Sequence, residues 1–424
     1  MEWNRRYATK SYLSSALWIV PIVALLLENV FIRLVFVLHD WLGWIPWFGT
    51  SLTGATEALN TVEGLTTAFI VFTFGSLLIV IQVASGQLTP RLIATVLLRN
   101  NVIRCTVGLF IFTMMFAVGT EARFETAVPK FAVTIGWILG IASIVAFLFL
   151  IDYTARLLRP ISIARRIGEE GIKVIENVYP GSFKTSQVLR QQEPKGSITR
   201  TVEHLGKSAI VLAVNLKSLI TLAQRSGAVV EFVPRVGDFV TVGEPLFRVY
   251  GNAPNISDRM LRAQVAFGSE RTLEQDSTFV FRVIVDIAIK ALSPAINDPT
   301  TAVLAIDQLH RLLSLVGKRH LHNDVLFDAE GVLRVIFRTP NWQDFVTLTF
   351  SEIRLYGAGN FQIARRLRAM IDNLAKILPE PRQPALHREL TLLDRSLEKL
   401  HHFPEDLALA RQPDLQGLGR TEGQ

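Results

Sequence analysis

Eight polar residues crowd one short stretch of an otherwise apolar chain: Glu270, Arg271, Thr272, Glu274, Gln275 and Asp276, followed by Asn297 and Asp298. Carboxylates beside an arginine and amides are the residue types that bind an anion or hold a hard cation. Each group also stands just before a stretch that reads as a helix, where free backbone N–H groups add to the field. If the two helices fold back on each other, Arg271, Thr272, Gln275, Asp276, Asn297 and Asp298 converge on one ligand-binding pocket. The preferred reading of the same residues is structural. In it Asp276 and Asp298 cap helices, Arg271 pairs with an acid and the rest fixes a turn.

The elements that must position these residues follow from the flanking sequence. Asp276 caps a helix over 277–292 that is apolar nearly all round and therefore buried. Its exceptions, Arg282, Asp286 and Lys290, fall four apart on one stripe. Ser293 and Pro294 turn the chain, and Asp298 with Pro299 opens a second helix to Val316. Upstream, 209–214, 228–233 and 245–250 read as strands, 216–224 as a short helix, and 235–239 as a tight turn. The phrase VGDFVTVGEPLFRV resembles the hairpin of biotinyl- and lipoyl-type barrel-sandwich folds. The following YGNAPNISDRM has no lysine, so the expectation is a small structural or docking β-domain rather than a cofactor arm. Downstream come a hairpin over 325–337, helices over 342–355, 361–378 and 384–401, and a polar, frayed tail after Phe403.

Four segments, 13–37, 65–83, 102–118 and 131–151, are long and apolar enough to cross a bilayer, which takes about 20 residues. Half of the 424 residues are hydrophobic, and the mean hydropathy is +0.33. The first apolar run has no cleavage site after it and is expected to be retained as a span. Lys and Arg flank the first and fourth spans and the loop after the second, while 39–64 has none. Both termini are therefore expected on the cytoplasmic side. Trp41, Trp44, Trp47 and Phe48 suggest an interfacial helix on the outer surface. The expected domains are a four-helix transmembrane domain over 1–151, an amphipathic helix and linker over 152–200, and a β-rich domain over 201–255. A mostly helical domain over 256–403 and a flexible tail over 404–424 complete the chain.

Two features of the spans bear on function. Glu28 and Arg33 lie in the first span, where an ionisable residue marks a functional site unless the pair sits at the headgroups. Ala68, Gly75, Gln82, Gly86 and Thr89 share one face of the second span, which fits close helix packing first and pore lining second. Pro90 is expected to bend the helix just beyond them.

The formal net charge of +7 lies mainly beside the spans and does not suggest a nucleic-acid partner. Cys105, the single cysteine, excludes an intrachain disulfide. No Walker, Rossmann, HExxH or GxSxG signature appears, and Gly357-Ala358-Gly359 follows a helix rather than a strand. His310, His320 and His322 form a modest cluster better read as loop histidines than as metal ligands. No cofactor, metal or enzymatic activity is expected.

QVASGQLTPRL in the second span, VGDFVTVGEPL, RTLEQD (271–276) and VDIAIKALSPAINDPTTA (285–302) resemble a bacterial family of predicted membrane proteins, domain of unknown function 2254. The resemblance covers nearly the whole chain. It departs where the family has an SGYVQ-like strand and this chain has SAIVL at 208–212, which puts family ligand contacts there in doubt. The resemblance implies a bacterial inner-membrane protein with no assigned activity. The expected fold is mainly α, with four membrane helices, an α+β cytoplasmic region containing a barrel-sandwich-like β-domain, and a helical C-terminal domain. The expected function is a homo-oligomeric channel or transport-related protein whose cytoplasmic part gates or forms a vestibule. The alternative is a membrane-anchored ligand-binding or regulatory module. The expected partners are the lipid bilayer, further copies of the chain, and a small ion or ligand.

Overall fold

A computed structural model describes residues 3–16, 18–42, 51–87, 100–124, 128–157, 160–183, 197–251, 253, 255–321 and 324–418. The chain divides into two compact units, residues 11–162 and residues 163–424 with 1–10.

In the first unit four helices are long and apolar enough to span a membrane. They are α2 (Ile19–Leu42), α3 (Leu52–Gln87), α4 (Asn101–Glu121) and α5 (Lys130–Leu157); α1 (Trp3–Ser15) precedes them. The third, α4, packs against the other three and is the most buried. Without a hydrophobic force between helices in lipid, close approach depends on small residues and internal hydrogen bonds. Gly136 and Gly140 on α5 do this against α3: a Cβ on them would lie 2.8 Å from Leu59 and 2.7 Å from Val62. Gly108 on α4 meets Val20 of α2 in the same way. Buried Ser143 donates to Thr113 at 3.1 Å, and Phe69 stacks on Phe147 at 4.1 Å.

The face read as a packing stripe is not used in this unit. Ala68, Gly75 and Gln82 are exposed, and nothing lies within 4 Å of a Cβ on Gly75. Gly86 lies on the last turns of α3, whereas Thr89, Pro90, Trp44, Trp47 and Phe48 fall outside the described residues. Glu28 is buried and its Oε1 has no hydrogen-bond partner, while Arg33 is exposed, so these two do not pair. Arg123 donates instead to the Gly119 carbonyl at 2.6 Å and lies over the Phe36 ring.

The amphipathic segment forms α6 (Pro160–Val178), with a proline at its start, which suits a first helical turn. The apolar face of α6 is buried in the second unit. A Cβ on Gly171 would collide with Val280 and lie 3.2 Å from Leu312.

The barrel-sandwich expectation is overturned. The β-strands are β1 (Ile198–Glu203), β2 (Ala209–Val214), β3 (Val229–Phe232), β4 (Phe239–Val240), β5 (Pro245–Tyr250), β6 (Val265–Gly268), β7 (Val325–Phe327) and β8 (Leu333–Phe337). They form an open five-stranded sheet in the order β1-β5-β3-β8-β7 and an open three-stranded sheet in the order β4-β2-β6; neither closes or curls. The hairpin-like phrase is divided between the two sheets: its β4 pairs with β2, and its β5 pairs with β1 and β3. Next to β5, β3 pairs in parallel with β8, some hundred residues later, and parallel pairing demands such a crossover. Val335 and Phe337 of β8 complete the same core as Val230, Phe232 and Phe247.

Short helices α7 (Leu216–Arg225) and α8 (Asp258–Arg262) border the sheets. The helical layer comprises α9 (Ser277–Ala291), α10 (Pro299–Gly317), α11 (Trp342–Gly357), α12 (Phe361–Ile377) and α13 (Gln383–Leu400). As the pattern demands, α9 is buried on nearly every side. Its charged stripe docks Arg282 onto Asp286 and onto Glu352 of α11. The segment read as a frayed tail instead forms α14 (Pro404–Ala410) and a strap over α12. Buried Arg365 donates to the Gln412 carbonyl at 3.1 Å, and Gln362 donates to the Gly417 carbonyl.

Candidate ligand-binding site

Parallel strands β3 and β8 end side by side, with Phe232 opposite Phe337. The chain leaving β3 turns at Arg235–Asp238, and the chain leaving β8 runs through Arg338 and Thr339 to the start of α11. Ligands in sheets with parallel strands bind outside the strands' carboxyl ends, where such connections diverge. A cavity of about 170 Å³ lies there. Its other walls are Tyr179 at the end of α6 and the segment from Arg271 to Thr278 that opens α9.

The turn is held by its own side chain: Asp238 Oδ2 accepts the Arg235 N–H at 2.8 Å. Gly237 has φ +93°, where glycine is favoured, and a Cβ there would strike Asp276 Oδ2. Asp276 caps α9 as expected. Its Oδ1 accepts the Phe279 N–H at 2.9 Å and the Thr278 hydroxyl at 2.7 Å. Its Oδ2 is buried without a hydrogen-bond partner, 3.8 Å from Arg271. Gln275 Oε1 is committed to the Val214 N–H of β2 at 3.0 Å. The Thr272 hydroxyl is buried without a hydrogen-bond partner. Burial pushes the Tyr179 hydroxyl up to about 12, against the Ser277 hydrogen bond and with help from Asp276 and Asp344, so it stays neutral.

Asn297 and Asp298 are elsewhere. They sit at the far end of α9, about 22 Å away for a helix of fifteen residues at 1.5 Å per residue. Asn297 takes the left-handed conformation, φ +49°, in the turn. Asp298 caps α10 through the Thr301 N–H at 3.0 Å. The two helix starts therefore do not converge, because α9 and α10 form a hairpin whose N-termini face opposite ends. His310 is likewise tied up, bonded to Asn373 at 2.9 Å and to Arg366.

What converges instead is three arginines. Arg235, Arg271 and Arg338 all line the cavity, and among the described residues none of their guanidinium groups donates a hydrogen bond. Their nearest carboxylates, Asp344, Asp276 and Glu231, each stand at 3.8 Å. Elsewhere in the unit Arg334 and Arg366 reach carboxylates at 2.7 Å and 2.8 Å. The cavity also carries three aspartates, Asp238, Asp276 and Asp344, and one oxygen of each accepts a backbone N–H. Asp344 Oδ2, for example, accepts the Asn341 N–H at 3.0 Å in a capping box. Sequence reasoning found Arg271, Gln275 and Asp276 but missed Tyr179, Arg235, Arg338, Thr339 and Asp344. Arg235 was read as part of a turn, and the signal for Arg338 was its place just past a strand end.

Desolvation pushes the Asp276 carboxyl above its ordinary 3.8, with Thr278, Phe279 and Arg271 opposing. A carboxyl raised in the folded state holds its proton more tightly folded than unfolded. Its stability contribution is complete below about pH 3.8 and is lost as pH rises through the raised value. Asp276→Asn keeps an effective cap and removes the titration. The variant is expected to show a flatter decline in stability above pH 3.8 than the wild type in denaturant titrations across pH. An unchanged pH profile would count against ionisation of this buried carboxyl.

A family model described as "Predicted membrane protein (DUF2254)" matches residues 14–373. Uncharacterized proteins of Mycobacterium bovis and Mycobacterium tuberculosis are 26% identical over 425 aligned residues, covering 96% of this chain and 81% of theirs. No solved structure matches the chain.

Proposed function

Since this chain belongs to the DUF2254 family of predicted membrane proteins, and is a multi-pass protein of the bacterial inner membrane, we propose that it is a membrane-anchored ligand-binding or regulatory module. Its extramembrane unit, on the cytoplasmic side, takes a small charged ligand in the cavity between the turn after β3, the start of α9 and the chain after β8. The observation that carries this reading is the set of three arginines lining one cavity, whose guanidinium groups donate no hydrogen bond among the described residues. The cytoplasmic placement rests on the Lys and Arg flanking the first and fourth spans.

A thermal-shift screen of the detergent-solubilised full chain against a mixed library of anionic, cationic and neutral small ligands tests it. At least one ligand is expected to raise the melting temperature of wild type and of Asp298→Ala, whose lesion lies at the other end of α9. The same ligand is expected to give no shift with Arg338→Gln. A library without such a ligand sinks the reading.

A second reading, the homo-oligomeric channel or transport protein, is favoured by the outward face of α3. Gln82 is an exposed amide on a helix long and apolar enough to span the membrane, and a polar group in hydrocarbon is stabilised by a partner across a helix interface. Single-channel recording after reconstitution tests it. A conductance altered by Gln82→Ala supports it, and a silent bilayer counts against it.

A further inference from the structure

The chemistry of the cavity specifies its ligand further than "small and charged". We propose that it is a phosphate-type oxyanion site, taking a pyrophosphate or phosphomonoester group, with Arg235, Arg271 and Arg338 as the binding residues. This inference rests on the ligand-binding reading above.

Free hydrogen-bonding capacity is the first argument. Each guanidinium carries a planar fork of N–H donors matched to paired oxygens, and each has only a 3.8 Å approach to a carboxylate. The Asp238 and Asp344 carboxylates accept backbone N–H groups at 2.8 Å and 3.0 Å, and Asp276 Oδ1 caps α9. The three guanidinium forks therefore keep donors for a ligand, beside the buried acceptor Asp276 Oδ2. Number is the second argument. A carboxylate offers two oxygens, whereas a phosphate group presents three or more terminal oxygens, one edge for each of the three forks. Size is the third. A cavity of about 170 Å³ is well below the roughly 300–1,000 Å³ of drug-sized clefts. It admits a phosphate or pyrophosphate group and little more. Field is the fourth, since the positive end of the fifteen-residue α9 adds its sign to that of the arginines. Asp276 Oδ2, buried beside Arg271, is placed to accept the O–H of a monoprotonated phosphate oxygen.

Isothermal titration of inorganic pyrophosphate into the full chain, held in nanodiscs of phosphatidylcholine, tests the proposal. Saturable binding is expected, weakened about ten-fold or more by each of Arg235→Gln, Arg271→Gln and Arg338→Gln. Arg338→Lys is expected to recover part of the loss, as a point charge replaces a fork. Arg338 is half exposed and makes only the 3.8 Å contact, so Arg338→Gln retains the fold and remains informative if another variant does not. Binding abolished by phosphatidic acid in the nanodiscs identifies a lipid headgroup as the source of the phosphate. Binding indifferent to it identifies a free phosphate compound. Absence of saturable pyrophosphate binding, or binding that all three glutamine variants leave intact, overturns the oxyanion assignment. If pyrophosphate fails while another class of ligand loses its thermal shift in Arg338→Gln, the oxyanion class falls and the binding reading stands. If every class fails, both fall.

Discussion

Replacing Phe345 with alanine is expected to destabilise the extramembrane unit by about 3–5 kcal/mol, the range for truncating a fully buried aromatic. Phe345 lies on the first turn of α11 and is 0% exposed. Its ring meets Tyr179 edge-on, at 6.3 Å between centroids and 82° between planes, and lies 5.2 Å from the Phe281 ring of α9. Three cavity walls, the end of α6, the start of α9 and the start of α11, are therefore pinned by one side chain. A cavity in place of the ring removes dispersion contacts from all three at once. Hydrogen–deuterium exchange of the full chain in detergent is the measurement, because a multi-unit membrane protein does not unfold in a single transition. Protection in α9 and α11 is expected to fall in Phe345→Ala and much less in Phe345→Leu, which retains most of the apolar volume. Equal protection in wild type and Phe345→Ala would sink the claim.

Gly140→Leu is the second large effect, and it lies in the membrane unit. A Cβ on Gly140 would already stand 2.7 Å from Val62 Cγ2. Leucine must therefore push α3 and α5 apart, at about 1–3 kcal/mol or more for overpacking. Separation also forfeits the close packing that stabilises helices where both surroundings are equally apolar. Gly75→Leu is the matched control, since nothing within 4 Å meets its Cβ. A surface change of this kind is expected to stay within about 0.5 kcal/mol. Thermal unfolding in detergent and yield after purification should separate the two, with Gly140→Leu melting lower and Gly75→Leu unchanged. If Gly75→Leu also dissociates a cross-linkable oligomer, the outward face of α3 is the contact between copies. Equal melting of Gly140→Leu and wild type would show that α3 and α5 do not approach as closely as Val62 and Gly140 indicate.

The contrast between these two glycines shows which signals in the chain were legible. A stripe of small and polar residues was read on α3 alone, and spacing by itself cannot tell which face meets a neighbour. Gly136 and Gly140 of α5 lie against α3, while Ala68, Gly75 and Gln82 face outward. The same holds in the extramembrane unit. The caps Asp276 and Asp298, the proline at the first position of α10 and the buried α9 were readable because their causes are local: a side chain three residues from the N–H it accepts, a fixed φ, an apolar run. The separation of Asp276 from Asp298 was not, because the direction of a helix hairpin parts two N-termini that look equivalent in sequence.

What the sequence by itself determined, then, is the partition into membrane and extramembrane parts, the type and approximate limits of most elements, and the family. Hydropathy, periodicity and capping act within a few residues, and each leaves its mark in order along the chain. Tertiary structure alone decided the sheets and the cavity. β3 takes β8 as its parallel neighbour across about a hundred residues, which dissolves the barrel-sandwich expectation and brings Arg235 and Arg338 to Arg271. Strand pairing and side-chain convergence depend on which distant surfaces bury each other best, a property of the whole packed unit that no local window contains.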